Sequence, residues 1–397
     1  MNTLAWFFFL PVALIYSLRR VQDRQALKQR LGSGLFSIRF PEGCFWLHAC
    51  SVGEVNSLLP LIAELESKGI PITLTVITST GFQRARELWP EIPVFLMPFD
   101  LFSPLLILRN RKELRAMFLM ETEIWPGMIA CCTLCSIPVS LINGRISDRS
   151  LPKYKKISWL LSPILNQLER VFAQSETDRE RLRAIGRTLD IELMPNLKFW
   201  SVKVGSPPNK TFFPDDSPYF VAGSTHEGED ELIIRAYMEI KSRVKNLRLV
   251  IAPRHLSRVE KISQLLKARK LPFSLKTLQI SPSEVTILNT IGELQNFYLL
   301  PGIVFMGGSL VKSGGHNPLE PLYAGKIPFT GPHTQNFKDI IRTLKSENLI
   351  IQVNTSRELA EKAGAALLRN TDDTVKIREF FRKIEKDRQS LLKKILP

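Results

Sequence analysis

Two kinds of stretch in this 397-residue chain gather side chains capable of chemistry: acids directly behind apolar runs, and a glycine-rich loop. The first acidic stretch, His48-Ala-Cys-Ser-Val-Gly-Glu54, follows an apolar run and sets a carboxylate in a glycine-containing turn, where it could act as general base. The same spacing fits a capping box, Ser51 at N-cap and Glu54 at N3, worth about 1 kcal/mol to a helix. Glu121-Thr-Glu123-Ile-Trp-Pro-Gly127 ends another run with two acids, odd for a core and suited to the floor of a polar cleft. Asn143-Gly-Arg145-Ile-Ser147 and Asn196-Leu-Lys198-Phe199 sit at further run ends, and Ala252-Pro-Arg254-His255 sets a guanidinium there, suited to phosphate or carboxylate. The most organised stretch is Ile303–Pro321. Apolar Ile303–Met306 stops at Gly307-Gly308, a second pair follows at Gly314-Gly315, and Asn317-Pro318 announces a helix. Strand, glycine-rich loop and helix start together bind phosphate, since glycine admits close approach and free N–H groups at a helix N-terminus carry partial positive charge. The loop is neither G-x-G-x-x-G nor Walker A. Glu320, three after Asn317, fits a capping box equally well, and Ser224-Thr-His-Glu227 repeats that spacing.

Short apolar strands alternating with helices must position these groups. In the first half, strands are expected at Cys44–Cys50, Pro71–Thr78, Pro93–Met97, Ala116–Met120, Ile137–Ile142 and Arg170–Ala173, with helices such as Glu54–Lys68, Gly81–Trp89, Trp125–Cys135 and Tyr154–Leu168 between them. Around Ser201–Ser217 the composition turns to that of a linker. Strands resume at Tyr219–Ala222, Leu247–Ile251, Val285–Leu288, Ile303–Met306, Lys326–Phe329 and Leu349–Gln352, with helices at Glu229–Arg243, Leu256–Arg269, Pro318–Ala324 and Asn336–Ser346. From Val375 the charged, helically spaced sequence predicts one or two closing helices. The fold class is α/β: two doubly wound Rossmann-like domains, with ligands at strand carboxyl ends facing a cleft. Domain bounds are 1–20 for a membrane-associated helix, 21–205 and 206–397.

The formal charge of +16 asks for an anionic partner, and without Arg-Gly repeats, zinc fingers or RNP-like aromatics nucleic acid is the weakest choice. Leu4–Leu18 is almost wholly apolar and is followed by Arg19, Arg20, Arg24, Lys28 and Arg30. Its 15 residues reach roughly 22 Å as a helix, short of a hydrocarbon core of about 30 Å, so it sinks in one leaflet or spans marginally. The basic flank puts the rest of the chain on the cytoplasmic side. The five cysteines form no framework, Cys132-x-x-Cys135 lacks a second metal-binding pair, and the five histidines, His48, His226, His255, His316 and His333, all stand at or just after expected strand ends as hydrogen-bonding groups around a polar cleft. No metal is expected.

Together these motifs resemble the Kdo (3-deoxy-D-manno-octulosonic acid) transferases of bacterial lipopolysaccharide synthesis. The resemblance runs through His48–Glu54, Glu121–Pro126, Asn143–Ser147, Asn196–Phe199, Ala222–Glu229, Pro253–His255, Gly307–Leu310 and Gly314–Pro321, in order and over essentially the whole chain. It implies a GT-B fold, an N-terminal membrane-contacting segment at the cytoplasmic face of the inner membrane, CMP-Kdo as donor, a lipid A precursor (lipid IVA) as acceptor, and no cofactor. By position Glu54 is the catalytic base with Glu121 nearby. Arg254, Ser309, Asn317 and Glu320 hold the donor, with Ser224, Gly307, Gly308 and Gly315 on that side and Ser51, Gly53 and Lys198 on the acceptor side. Asn289 departs from the Asp common in relatives. A GT-B enzyme using a UDP-sugar and a non-catalytic anionic-lipid binder are the alternatives; number and linkage of Kdo units and oligomeric state are not readable.

Overall fold

The alternation builds two sheets in the computed structural model, which describes residues 28–186, 190–200, 208, 210–213, 217–278, 281, 283–369 and 373–395. Leu4–Leu18 lies outside these residues, as does most of Ser201–Ser217. No helix among the described residues is long and apolar enough to cross a membrane. The chain divides into two compact units, Met1–Ser201 with Asp387–Pro397, and Val202–Lys386.

In the first unit the strands are β1 (Cys44–Ala49), β2 (Ile72–Val76), β3 (Val94–Leu96), β4 (Leu114–Met120), β5 (Val139–Gly144), β6 (Arg170–Ala173) and β7 (Ile191–Leu193). They form one parallel sheet in the order β3-β2-β1-β4-β5-β6-β7. Every residue of β1 and β2 is buried, as parallel strands covered on both faces require. Side chains alternate between two apolar clusters: Trp46, Met117 and Leu119 on one face, Phe45, Leu47, Phe118 and Met120 on the other. Leu391, Leu392 and Ile395, from the end of the closing helix Thr374–Ile395, belong to the second cluster. Thus the last residues of the chain, assigned from sequence to the second domain, complete the core of the first.

The second unit repeats the plan with β8 (Tyr219–Thr225), β9 (Arg248–Pro253), β10 (Phe273–Leu275), β11 (Val285–Ile287), β12 (Gly302–Met306), β13 (Phe329–Thr330) and β14 (Ile351–Gln352), ordered β10-β11-β9-β8-β12-β13-β14 and all parallel. In each sheet the order reverses at the first strand: β1 lies between β2 and β4, and β8 between β9 and β12. Doubly wound sheets take ligands at the carboxyl ends of such reversal points. The motifs after β1, β4, β8, β9 and β12 stand at or beside those points, whereas Asn143 and Asn196 lie farther out, at the ends of β5 and β7.

Some expectations fail locally. The helix foreseen at Glu54–Lys68 is two, Val52–Ser57 and Leu59–Ser67, because Pro60 has no N–H to continue the first and instead opens the second. Tyr154–Leu168 likewise resolves into Leu151–Lys156 and Ser158–Leu165. The strand placed at Lys326–Phe329 begins only at Phe329. Strands β7 and β10 and the helices Ser103–Asn110, Glu176–Arg183 and Ser356–Arg369 were not foreseen.

Candidate functional site

After β1 the chain turns at Cys50 and enters the helix Val52–Ser57, with Ser51 as N-cap and Gly53 in the first turn. The Ser51 hydroxyl donates to Glu54 Oε1 at 3.1 Å and accepts the Glu54 N–H at 3.4 Å, while Glu54 Oε2 accepts the Cys50 N–H at 2.7 Å. The capping box therefore forms, reaching one residue further back than the standard pattern. It leaves Glu54 8% exposed. Burial raises its pKa, as do the charges of Glu121 and Glu123, against the Cys50 and Ser51 hydrogen bonds, and the result is about 7. A carboxylate half-ionised near neutrality matches what general base catalysis requires.

Glu121 follows β4 with φ +52°, Asn143 lies in β5 with φ +56°, and Ser224 lies in β8 with φ +55°. Left-handed backbone costs a non-glycine residue about 1 kcal/mol or more and clusters where side chains are aimed for function. Glu121 Oε2 meets Arg145 Nε at 2.7 Å. Burial raises the Glu121 pKa, opposed by Arg145 and Lys198. Lys198 is brought near by a polar network: Asn143 Oδ1 accepts the Leu197 N–H at 3.2 Å, and Gln174 bridges Asn196 (2.6 Å) to the Asn143 carbonyl (2.8 Å). Gln174 was not foreseen; only its place after β6 hinted at a role.

His48 is fully buried in β1, its Nδ1 2.8 Å from Thr75 Oγ1 and its Nε2 3.8 Å from Glu123 Oε2. Glu123 also accepts the Trp125 indole N–H at 2.9 Å. Burial alone would push its pKa up, but the nearby His48 ring and hydrogen bonds from Trp125 and Cys50 bring it below the ordinary value. The Cys50 thiol is pushed up to about 12 by burial and the charges of Glu123 and Glu54. Asp100, also missed from sequence, accepts the N–H groups of Gly127 (2.7 Å) and Met128 (2.8 Å) and fixes the start of the helix Pro126–Leu134. Among the described residues, one group, Cys50, Glu54 and Glu123, has ligand atoms within 4.8 Å of one another.

In the second unit, the loop after β12 is an anion cradle that is already filled. The N–H groups of Gly308 (2.6 Å), Ser309 (2.8 Å) and Leu310 (2.8 Å) all donate to the carboxylate of Glu229, which also accepts the His226 N–H at 2.9 Å. Gly307 is required because a Cβ there would lie 2.4 Å from the Ser224 carbonyl oxygen, and Gly308 has φ +65°. The Ser309 side chain is fully buried, donating to the Met306 carbonyl and accepting the Gly331 N–H at 2.8 Å. Hence the Gly308 and Ser309 N–H groups, read from sequence as open to a phosphate, are bound within the fold. The expected Ser224/Glu227 box does not form: Glu227 is exposed and paired with Lys261, and Glu229, two residues on, closes the turn.

Around this loop stand groups of a different kind. Arg254 is exposed after β9, and its charge acts on both Glu320 and His316. Asn317 Oδ1 accepts the Leu319 N–H at 3.2 Å, and Asn317 Nδ2 donates to Glu320 Oε1 at 3.4 Å. The helix they open, Leu319–Tyr323, has five residues, so its dipole is slight. Gly315 donates to the Gly308 carbonyl at 2.8 Å and closes the loop. His226 Nε2 and His316 Nε2 are 2.8 Å apart, one donating to the other; burial and the neighbouring His226, Arg254 and His255 lower His316 to about 4.

The family model for 3-deoxy-D-manno-octulosonic-acid transferase (kdotransferase) matches residues 25–201. The 3-deoxy-D-manno-octulosonic acid transferase of Haemophilus influenzae is 32% identical, over 96% of this chain and 92% of its own. The protein of the same name from Aquifex aeolicus is 28% identical over 88% and 92%. In fold, the two parallel-sheet units resemble GT-B glycosyltransferases: the crystal structure of Acinetobacter baumannii MurG is 12% identical, covers 85% of this chain and 95% of that one, and superposes with a TM-score of 0.51.

Proposed function

The chain belongs to the 3-deoxy-D-manno-octulosonic acid (Kdo) transferase family, and from that premise we propose that it moves Kdo from CMP-Kdo to a lipid A precursor, lipid IVA, in lipopolysaccharide synthesis. The enzyme is a glycosyltransferase. The observation that carries the reading is the Glu54 carboxylate: held by Cys50 and Ser51 at the carboxyl end of β1 and titrating near 7. As the acceptor hydroxyl attacks the anomeric carbon of Kdo, Glu54 takes its proton and the bond from that carbon to the CMP phosphate breaks. A single displacement of this kind inverts the anomeric centre. Base catalysis of this type contributes on the order of 10²–10⁴ in rate. Glu121, with Arg145 and Lys198 beside it, lies on the acceptor side.

CMP leaves as a phosphate monoester, gaining one negative charge. Since the loop N–H groups of Gly308 and Ser309 serve Glu229, the charge falls to side chains, with Arg254 first among them. Asn317 and Glu320 offer a donor and an acceptor to the nucleoside, while Ser224, Gly307, Gly308, Ser309 and Gly315 shape the loop that presents them. One developing charge beside a guanidinium asks for no metal cofactor.

The acceptor is a phosphorylated lipid, so the enzyme works at the cytoplasmic face of the inner membrane, with residues 4–18 and the basic residues after them as anchor. Among the described residues a second apolar and basic face supports this. The helix Ser103–Asn110 packs beside Leu35–Ser37 and Pro126–Leu134, and the latter beside Ser158–Leu165. These elements expose Phe36, Leu105, Leu108, Leu134 and Trp159, close in sequence to Arg109, Lys153, Lys155 and Lys156. Mass spectrometry of the product from purified protein, lipid IVA and either CMP-Kdo or a UDP-sugar tests the reading. A mass gain of one or more Kdo units with CMP-Kdo alone is expected; transfer from a UDP-sugar instead overturns it.

A further inference from the structure

The environment of the proposed base holds a donor set wider than the transfer reaction uses. Cys50 Sγ and carboxylate oxygens of Glu54 and Glu123 lie within 4.8 Å of one another. The independent observation is His48. Its ring is fully buried, its Nε2 has no hydrogen-bond partner, and that atom lies 3.8 Å from Glu123 Oε2. Leaving a buried polar atom unmatched is costly, so one set beside a carboxylate of this cluster calls for a reason. The other ring nitrogen, Nδ1, is 2.8 Å from the Thr75 hydroxyl, which also accepts the Trp46 indole N–H at 2.8 Å. With the His48 proton on Nδ1 and donated to Thr75, the ring is fixed and Nε2 presents its lone pair to the cluster. A metal-ligating histidine is held by its second nitrogen in this way.

We propose that Cys50, His48, Glu123 and Glu54 form a site for a thiophilic divalent cation such as Zn²⁺, and that its occupancy stops transfer by making the Glu54 carboxylate a ligand. Thiolate, imidazole and carboxylate are the donors zinc prefers, at about 2.0–2.3 Å, which puts ligand atoms ~3.3–3.8 Å apart in a tetrahedron. The His48–Glu123 pair already meets that spacing, and the Cys50, Glu54 and Glu123 atoms need approach by only about 1 Å, with His48 drawn in beside Glu123. The ion has a way in: Cys50 is half-buried and the Glu123 side chain is 20% exposed. Binding exchanges the Cys50 thiol proton, released to solvent, for a metal–sulfur bond, and nothing is oxidised or reduced. The inhibitory part rests on Glu54 being the base; the site itself does not.

Cobalt titration of the full chain tests it, because a Co²⁺–thiolate bond has a near-ultraviolet charge-transfer band. Cys131 and Cys135, elsewhere in the unit, are first replaced by serine. That background is expected to bind one Co²⁺ per chain with the band, and further replacement Cys50→Ser to abolish it. Glu123→Gln, a second variant against misfolding of the first, is expected to weaken Co²⁺ at least tenfold with circular dichroism unchanged. Zn²⁺ should inhibit transfer over the range in which it displaces Co²⁺, reversed by EDTA. Absence of the band in the background, or its persistence in Cys50→Ser, overturns the site. Full turnover by zinc-saturated protein instead leaves the site standing and overturns the inhibition, while the assignment of Glu54 as base stands or falls on Glu54→Gln alone.

Discussion

Replacing Glu54 with Gln separates its two properties, charge and shape. The amide can still accept the Cys50 N–H and face the Ser51 hydroxyl, so the capping geometry survives. The charge does not. In the folded chain burial and the neighbouring Glu121 and Glu123 raise the carboxyl from 4.5 to about 7. Because the folded value lies above the unfolded one, the folded state holds the proton more tightly, and Glu54 subtracts stability as pH rises from about 4.5 to about 7. Above that the penalty is constant, at about 3 kcal/mol. Glu54→Gln removes it. The variant is expected to match the parent at pH 4 and to melt higher at pH 8.5 by ~6–12 °C, at about 2–4 °C per kcal/mol for a unit of this size. Its turnover falls by 10²–10⁴, and the parent's rising limb of turnover against pH, with its midpoint near 7, disappears. Calorimetry from pH 4 to 8.5 and initial rates at saturating donor read both. A melting difference independent of pH refutes the electrostatic account, and turnover within tenfold of the parent refutes the base.

Arg254→Ala is expected to weaken CMP binding by about 10–100-fold in calorimetry, the equivalent of one charge-assisted hydrogen bond, while melting is unchanged because the side chain is exposed. Glu229→Ala leaves four N–H groups without their acceptor and should cost about 3–5 kcal/mol, part of it restored by formate entering the vacated cradle; unaltered urea unfolding would refute the filled-cradle description. Reversing Lys153, Lys155 and Lys156 to Glu should reduce sedimentation with anionic vesicles by at least a hundredfold, at about 1 kcal/mol for each lysine near the surface, and unaltered sedimentation would take that face off the membrane.

What sequence could show depended on how local the determining contact was. The strand β6 was legible to the residue, since Val171, Phe172 and Ala173 are bounded by polar neighbours. The Ser51/Glu54 cap was legible because both partners lie within one turn. Strands β7 and β10, three residues each, are too short to show a period, and their pairing rather than their composition makes them strands. The role of Glu229 was invisible for another reason: its partners Gly308, Ser309 and Leu310 lie about 80 residues away. Read locally, the glycines of that loop signal an anion; only the tertiary structure says that the anion is supplied by the protein.

The closing helix has a consequence for biosynthesis. Leu391, Leu392 and Ile395 are translated only after the whole second unit, yet they fill the core of the unit made first. Translation of the intervening half takes ~10–40 s at ordinary rates. Throughout that interval the nascent first unit carries an open apolar seam, which makes it a client for chaperones and makes a fragment ending near residue 200 a poor candidate for independent expression.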